Sequence, residues 1–259
     1  MQAEIASPLP FETVETNEIR IGLICLASDA TIEREFRAVL AAAPGGIGLL
    51  QARIANDPVI SPETLAAMGP RITQTTATLL PGERFDAIAY GCTSATMVLG
   101  PDSVTAAISA AKPDTPVTTP ATAAVAAMER LGIRRPAVLT PYAPEVNRVV
   151  RDFLIAAGLE IAAFASFEEP DDRIVARIAP ESLAAAVRQL AGTGADGIFV
   201  SCTAIGMLDQ IAALEAEIGL PILSSNQALA WDALRLAGRE DGVPGLGRLF
   251  APGRPSRAA

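Results

Sequence analysis

The 259-residue chain contains three cysteines, and two of them share a setting. Cys92 stands in Gly91-Cys92-Thr93-Ser94 and Cys202 in Ser201-Cys202-Thr203-Ala204. Each motif ends an apolar run, Phe85-Asp86-Ala87-Ile88-Ala89-Tyr90 before the first and Ala195-Asp196-Gly197-Ile198-Phe199-Val200 before the second. The two cysteines are 110 residues apart, and so are Asp86 and Asp196. A short apolar run that stops at a polar pair reads as a buried parallel strand whose C-terminal end is the Cys-Thr pair. Open α/β sheets place their ligands at those ends. Two thiols facing one carbon suit a particular task. One, as thiolate, removes a proton or attacks, and the other, as thiol, supplies a proton on the opposite face. That is racemisation, epimerisation or cis–trans isomerisation without a cofactor. Helices expected shortly after both cysteines favour the thiolate through their dipole and free N–H groups.

Other residue types at strand ends complete a candidate site. Thr93, Ser94 and Thr203, with adjacent backbone N–H groups, suit a substrate carboxylate and an enolate-like intermediate. Ser94 and Thr203 are equally suited to cap the helices that follow. Tyr142 lies just past a strand expected over 136–140, and Ser225 follows Ser224 at the end of a strand expected over 221–224. A strand-end loop is where a binding tyrosine belongs. Cys25, inside an apolar strand, reads as a small core residue, and Trp231 in mid-helix reads as core.

These residues need strands to carry them and helices to cover the strands. A strand over 19–27 leads into Ser28-Asp29-Ala30-Thr31, N-cap chemistry for a helix from about Ile32 to Ala42. A second strand covers 47–54, and Ser61-Pro62 starts a helix expected to run to about Leu80. The first Cys-Thr strand, a helix over 102–111 and a short strand over 115–119 follow. The pattern then restarts with a helix over 122–131, a strand over 136–140, a helix over 144–157 and a strand over 160–166. An acidic loop with a short helix spans 167–179. A helix over 180–191, the second Cys-Thr strand, a helix over 207–218, the strand over 221–224 and a helix over 226–237 end the series. Strand–helix alternation of this kind gives parallel sheets covered by helices. The expectation is an α/β chain of two similar lobes with parallel sheets, related by internal duplication, with the active site in the cleft between them. Residues 18–118 with 225–250 form the first lobe and 119–224 the second, with tails at 1–17 and 251–259.

Composition narrows the function classes. The net charge is −9, with 29 acids against 20 bases, and no basic cluster marks a nucleic-acid or anionic-membrane surface. There is no histidine, which removes Ser-His-Asp and Cys-His machinery and the usual zinc sites. No cofactor and no metal are expected. The cysteines show no CxxC spacing, and free thiols suit the cytoplasm. No signal peptide or membrane span is expected from the apolar pattern. The expected partner is a small carboxylate or amino-acid substrate, and the alanine-rich helices suit a homodimer.

Gly91-Cys92-Thr93-Ser94, Thr140-Pro141-Tyr142, Ser201-Cys202-Thr203 and Leu223-Ser224-Ser225-Asn226-Gln227-Ala228 resemble the aspartate/glutamate racemase superfamily, in its branch of maleate cis–trans isomerase and arylmalonate decarboxylase. Leu131-Gly132-Ile133-Arg134-Arg135 and Trp231-Asp232-Ala233-Leu234-Arg235-Leu236-Ala237-Gly238 belong to the same pattern, and the resemblance covers roughly residues 18–250. Within the branch the chain is similar to the ectoine-utilisation protein A group. The resemblance implies two Rossmann-like lobes, no cofactor, Cys92 and Cys202 as the catalytic pair, and Tyr142 as a carboxylate-binding residue. The decarboxylase pattern keeps a cysteine only in the second position, with glycine in the first, so two cysteines point to isomerase or racemase chemistry. The alternatives are a decarboxylase with Cys202 as proton donor, and a two-lobed protein that binds a small acid without catalysis. Maleate isomerases resemble this chain in the loop at Ser28-Asp29 but carry asparagine at the place of Asp29, and similarly near Asp172. An ionised aspartate only accepts hydrogen bonds and repels an anion. Asp29 and Asp172 therefore suggest a substrate that carries an ammonium group as well as a carboxylate. The competing reading makes both of them capping or surface acids.

Overall fold

The computed structural model describes residues 8–14, 18–240 and 242–251. Most of the expected tails at 1–17 and 251–259 lies outside the described residues. The first half runs β1 (Ile19–Leu26), α1 (Ile32–Ala42), β2 (Ile47–Ile54), α2 (Pro62–Ala66), α3 (Ile72–Ala77), β3 (Ala87–Gly91), α4 (Thr93–Leu99), α5 (Pro101–Ser109) and β4 (Val117–Thr118). The second half runs α6 (Pro120–Leu131), β5 (Pro136–Thr140), α7 (Pro144–Ala156), β6 (Ala163–Ser166), α8 (Asp172–Val175), α9 (Pro180–Ala191), β7 (Gly197–Val200), α10 (Leu208–Ile218), β8 (Ile222–Ser224) and α11 (Ser225–Leu236).

The halves make two four-stranded parallel sheets of matching order, β2-β1-β3-β4 and β6-β5-β7-β8. In each sheet the chain leaves its first strand toward one edge and returns to the other side. The crevice at that reversal, between β1 and β3 or between β5 and β7, is where such sheets bind ligands. The register pairs Cys25 with Gly91 at the end of the first crevice and Leu139 with Val200 at the second. Strands β3, β5 and β7 are buried along their whole length, as the continuous apolar runs require. The close fit of β3 to α1 demands a residue without a side chain just before Cys92: a Cβ on Gly91 would stand 2.5 Å from Ile32 Cδ1 and 3.1 Å from the Ile24 carbonyl oxygen. The last helix, α11, packs against α1, α6, β3 and β4, so it joins the two halves.

Two expectations need correction. The helix expected from Pro62 to Leu80 is broken into α2, a 3₁₀ turn at Gly69–Arg71, and α3. Gly69-Pro70 explains the break, since proline removes an N–H and crowds the preceding turn. A helix also begins directly at Thr93, ahead of the one expected over 102–111, and Gly100 at φ 86° separates α4 from α5.

Candidate active site

Cys92 and Cys202 line one cavity together with Thr93, Ser94, Tyr142, Asp172 and Thr203. The cavity measures about 360 Å³ with the solvent at its mouth. Its other walls come from Leu26, Asn56, Asp57, Val59, Ile60, Thr64, Leu65 and Met68. Four strand ends converge here: Leu26 ends β1, and the segments after β3, β5 and β7 supply Cys92, Tyr142 and Cys202 in turn. The halves also meet over the cavity. Val59 pairs with Asp171 as an antiparallel bridge, the Ile60 N–H donates to the Pro170 carbonyl at 2.8 Å, and the Asp172 N–H to the Pro58 carbonyl at 2.9 Å.

Cys92 is the N-cap of α4 with extended φ and ψ, and its thiol lies 3.9 Å from Ser94 Oγ. The Cys92 carbonyl accepts both the Thr96 N–H at 3.2 Å and the Thr96 hydroxyl at 2.7 Å. Cys202 has no helix beside it, for α10 begins only at Leu208. The Tyr142 hydroxyl is a hydrogen-bonding neighbour of both the Cys202 thiol and Ser94, and Tyr142 is fully buried. Its backbone carbonyl is fixed by the Asn147 amide at 2.7 Å and the Ser166 hydroxyl at 2.6 Å.

Burial opposes the thiolate at both cysteines, against the pull expected of a helix N-terminus. Burial pushes Cys92 up to about 12 and Cys202 well above its ordinary range. The Ala95 and Ala204 N–H groups pull each back by hydrogen bonding, but less than burial pushes, and the charges of Asp172 and Asp29 add to the rise. Asp172 is itself raised to about 6, chiefly by burial, while a hydrogen bond from the Ser28 hydroxyl works in the other direction.

The remaining residues singled out in the sequence have different positions. Asp29 Oδ1 accepts the N–H groups of Thr31 (2.8 Å) and Ile32 (2.9 Å) just ahead of α1, whose N-cap is Thr31. Its Oδ2 is buried with no hydrogen bond of good geometry among the described residues, and the Thr203 side chain is its polar neighbour. Asp29 does not line the cavity wall, although its charge reaches both thiols. Ser225 stands behind the site and accepts a hydrogen bond from the Thr93 hydroxyl at 2.9 Å. Ser94 and Thr203 cap neither following helix, because those N-caps are Cys92 and Met207. The Thr203 hydroxyl reaches across to the Gly91 carbonyl at 3.4 Å instead. Cys25 and Trp231 are buried in the core, as expected.

Asn56 and Asp57 in the cavity wall were missed by sequence reasoning. Their signal was present, since Asn56-Asp57-Pro58 follows the end of β2, the same kind of strand-end loop that exposed Tyr142.

The sequence profile of arylmalonate decarboxylase matches residues 59–250. The maleate isomerase of Nocardia farcinica is 30% identical over 239 residues, which is 89% of this chain and 95% of that protein. The arylmalonate decarboxylase of Bordetella bronchiseptica is 37% identical over 138 residues, 52% of this chain and 58% of that protein. The solved structure of a cysteine-to-serine variant of the Nocardia farcinica maleate cis–trans isomerase, which carries a covalently bound succinylcysteine intermediate, superposes with a TM-score of 0.84 at 29% identity, over 90% of this chain and 98% of that one.

Proposed function

The chain belongs to the arylmalonate decarboxylase family, and from that premise we propose that it is a cofactor-independent isomerase of a small carboxylate, with Cys92 and Cys202 as its reacting thiols. The observation that carries the reading is the convergence of both cysteines, from equivalent strand ends of the two halves, on one cavity. A protein that only binds an acid needs hydroxyls, amides or cations there, and has no use for two thiols. A decarboxylase needs one proton donor, whereas this cavity holds two candidates.

Cys92 is assigned as the nucleophile, because it alone stands at a helix N-terminus where a developing thiolate is favoured. Its sulfur adds to one alkene carbon of a cis-dicarboxylate such as maleate. The π electron pair moves onto the neighbouring carbon and its carboxylate as an enediolate, and backbone N–H groups and the hydroxyls of Thr93, Ser94 and Thr203 stabilise that charge. Cys202 delivers a proton to that carbon. The former double bond is now single and rotates. Cys202 then takes a proton back, the carbon–sulfur bond breaks, and the trans isomer leaves with Cys92 restored. The intermediate is a succinylcysteine, the species described for the Nocardia farcinica relative. Cys92 enters the cycle as the thiolate and is released as the thiolate, while one proton passes from Cys202 to the substrate carbon and back.

A finer substrate reading follows from the cavity's charge. Asp172 lines it, and none of its lining residues is lysine or arginine. A substrate with an ammonium group beside its carboxylate, an amino acid or N-acetylated diamino acid of the sort an ectoine-utilisation enzyme would meet, pairs with Asp172 better than a plain dianion does. We place the enzyme in the cytoplasm, in keeping with three free cysteines, and propose a homodimer. Incubation with maleate and with amino acids in D₂O, followed by NMR, tests the whole reading. Appearance of fumarate or of deuterium at the α-carbon supports it, and unchanged substrates in every case would end it.

A further inference from the structure

The Cys202 loop is held in place by the other half of the molecule. Between Ser201 and Met207 the backbone is irregular, so its polar groups find no partners in a helix or strand of their own. The Ala204 carbonyl accepts the Thr31 hydroxyl at 2.8 Å. The Thr203 carbonyl accepts the Asn226 side-chain amide at 2.9 Å. The Leu208 N–H donates to Glu35 Oε1 at 2.9 Å, and the Asn226 amide donates its other hydrogen to Glu35 Oε2 at 2.9 Å. The loop presses closely on this support: a Cβ on Gly206 would lie 3.3 Å from Arg34 Nη2 and 3.5 Å from Thr31 Cγ2.

Glu35 is the unexpected member. It lies on the apolar stripe of α1 with Ile32, Phe36, Val39 and Leu40 and is 1% exposed. A carboxylate there is costly to bury, and a leucine or methionine would fill the same space at no electrostatic cost. Its partners are all donors: the Asn226 amide, the N–H groups of Leu208 and Met207, and Arg34 Nη2 at 3.8 Å. Burial drives the carboxyl upward, and each of these donors pulls it back toward the ionised form. An anion at the start of α10 also complements the dipole of that helix.

We propose that Glu35 is the positioning residue for the second thiol, its carboxylate fixing the loop that holds Cys202 over the cavity. The inference rests on the reading that Cys202 reacts, and it adds a residue that never touches substrate. Glu35→Gln keeps the shape but turns an amide NH₂ toward a donor. Turnover of maleate should show a kcat lower by about 10- to 100-fold, the size of effect that follows from misplacing a reacting group by about an ångström, with KM within about twofold. Alkylation with iodoacetamide, mapped by peptide mass spectrometry, should quicken at Cys202 by about fivefold as the released loop opens, while Cys92 and Cys25 keep their wild-type rates. Wild-type kcat together with a wild-type Cys202 rate overturns the proposal. So does equal acceleration at all three cysteines, which would mean general loosening. If Glu35→Gln does not fold, Asn226→Ala, which frees the Thr203 carbonyl and one Glu35 oxygen, must show the same selective pattern, and a wild-type labelling ratio in it overturns the proposal as well. Labelling needs no turnover. A wild-type enzyme inactive on every candidate acid would therefore refute the isomerase reading while the labelling pattern still decides the role of Glu35.

Discussion

The two cysteine loops occupy the same place in two copies of one fold, yet they are built differently. The first is supported locally: Cys92 caps α4, and Thr96 of the same helix holds its carbonyl twice. The second is supported from elsewhere, by Thr31 and Glu35 of the first half and by Asn226 of the closing helix. Duplication gives each half a thiol at a strand end, but it does not give each thiol the same neighbours. One is placed where a helix terminus favours negative charge, and the other beside a tyrosine hydroxyl in a stretch without a helix. Equivalent positions thus have unequal surroundings, which suit the roles proposed for them, nucleophile in one half and proton donor in the other.

The sharpest way to break that comparison is to remove each thiol in turn. Cys92→Ser and Cys202→Ser should each lower turnover by roughly 10³-fold or more, because serine is a far weaker acid and nucleophile, with circular dichroism unchanged. If either variant keeps wild-type turnover, measured by NMR on any substrate the parent accepts, two-thiol chemistry is excluded.

The part of this arrangement that local chemistry dictates was legible in the sequence. Apolar runs ending in Cys-Thr, repeated at 110 residues, implied the strands, the duplication and the shared cavity. Polar chemistry ahead of α1 was legible too: Asp29 accepts the N–H groups of Thr31 and Ile32, although the N-cap itself is Thr31. What was not legible depends on contacts between distant segments. Thr93 to Met97 are all buried, so α4 carries no amphipathic stripe to announce it. The balance between helix dipole and burial at the thiols is decided by how completely the halves close over them, which no local pattern encodes. Glu35 did leave a trace, as a lone acid on the apolar face formed by Ile32, Phe36, Val39 and Leu40, a position where an acid requires partners.

Asp172 sharpens the comparison next, because it raises both thiols at once. Its carboxyl is raised from the ordinary 3.8 to about 6, so the folded protein holds that proton more tightly than the unfolded chain. This contribution to stability is fully present below about pH 4 and is lost as pH rises through about 6. Asp172→Asn removes the loss, and the variant should be more stable than the parent by about 2 kcal/mol at pH 8 with little difference at pH 4, as measured by urea unfolding at both pH values. The same change should weaken an amine-bearing substrate and leave maleate binding unchanged or improved. A variant that loses maleate and keeps the amine-bearing substrate would reverse the charge argument.

The smallest expected effect lies behind the first thiol. Ser225→Ala removes the acceptor of the Thr93 hydroxyl and should cost about 1 kcal/mol of stability, with kcat lower by no more than about fivefold. A loss as large as that of Glu35→Gln would show that the Cys92 loop also depends on distant support, and the contrast between the halves would disappear.

The most direct test of the central claim is where substrate carbon becomes bound. Cys202→Ser should be incubated with maleate, quenched in acid, and mapped by peptide mass spectrometry. A succinyl adduct on Cys92 and none on Cys25 is expected, its second carbon protonated by solvent in place of Cys202, and without net turnover. An adduct on Cys25, or full turnover with no adduct at Cys92, would contradict it.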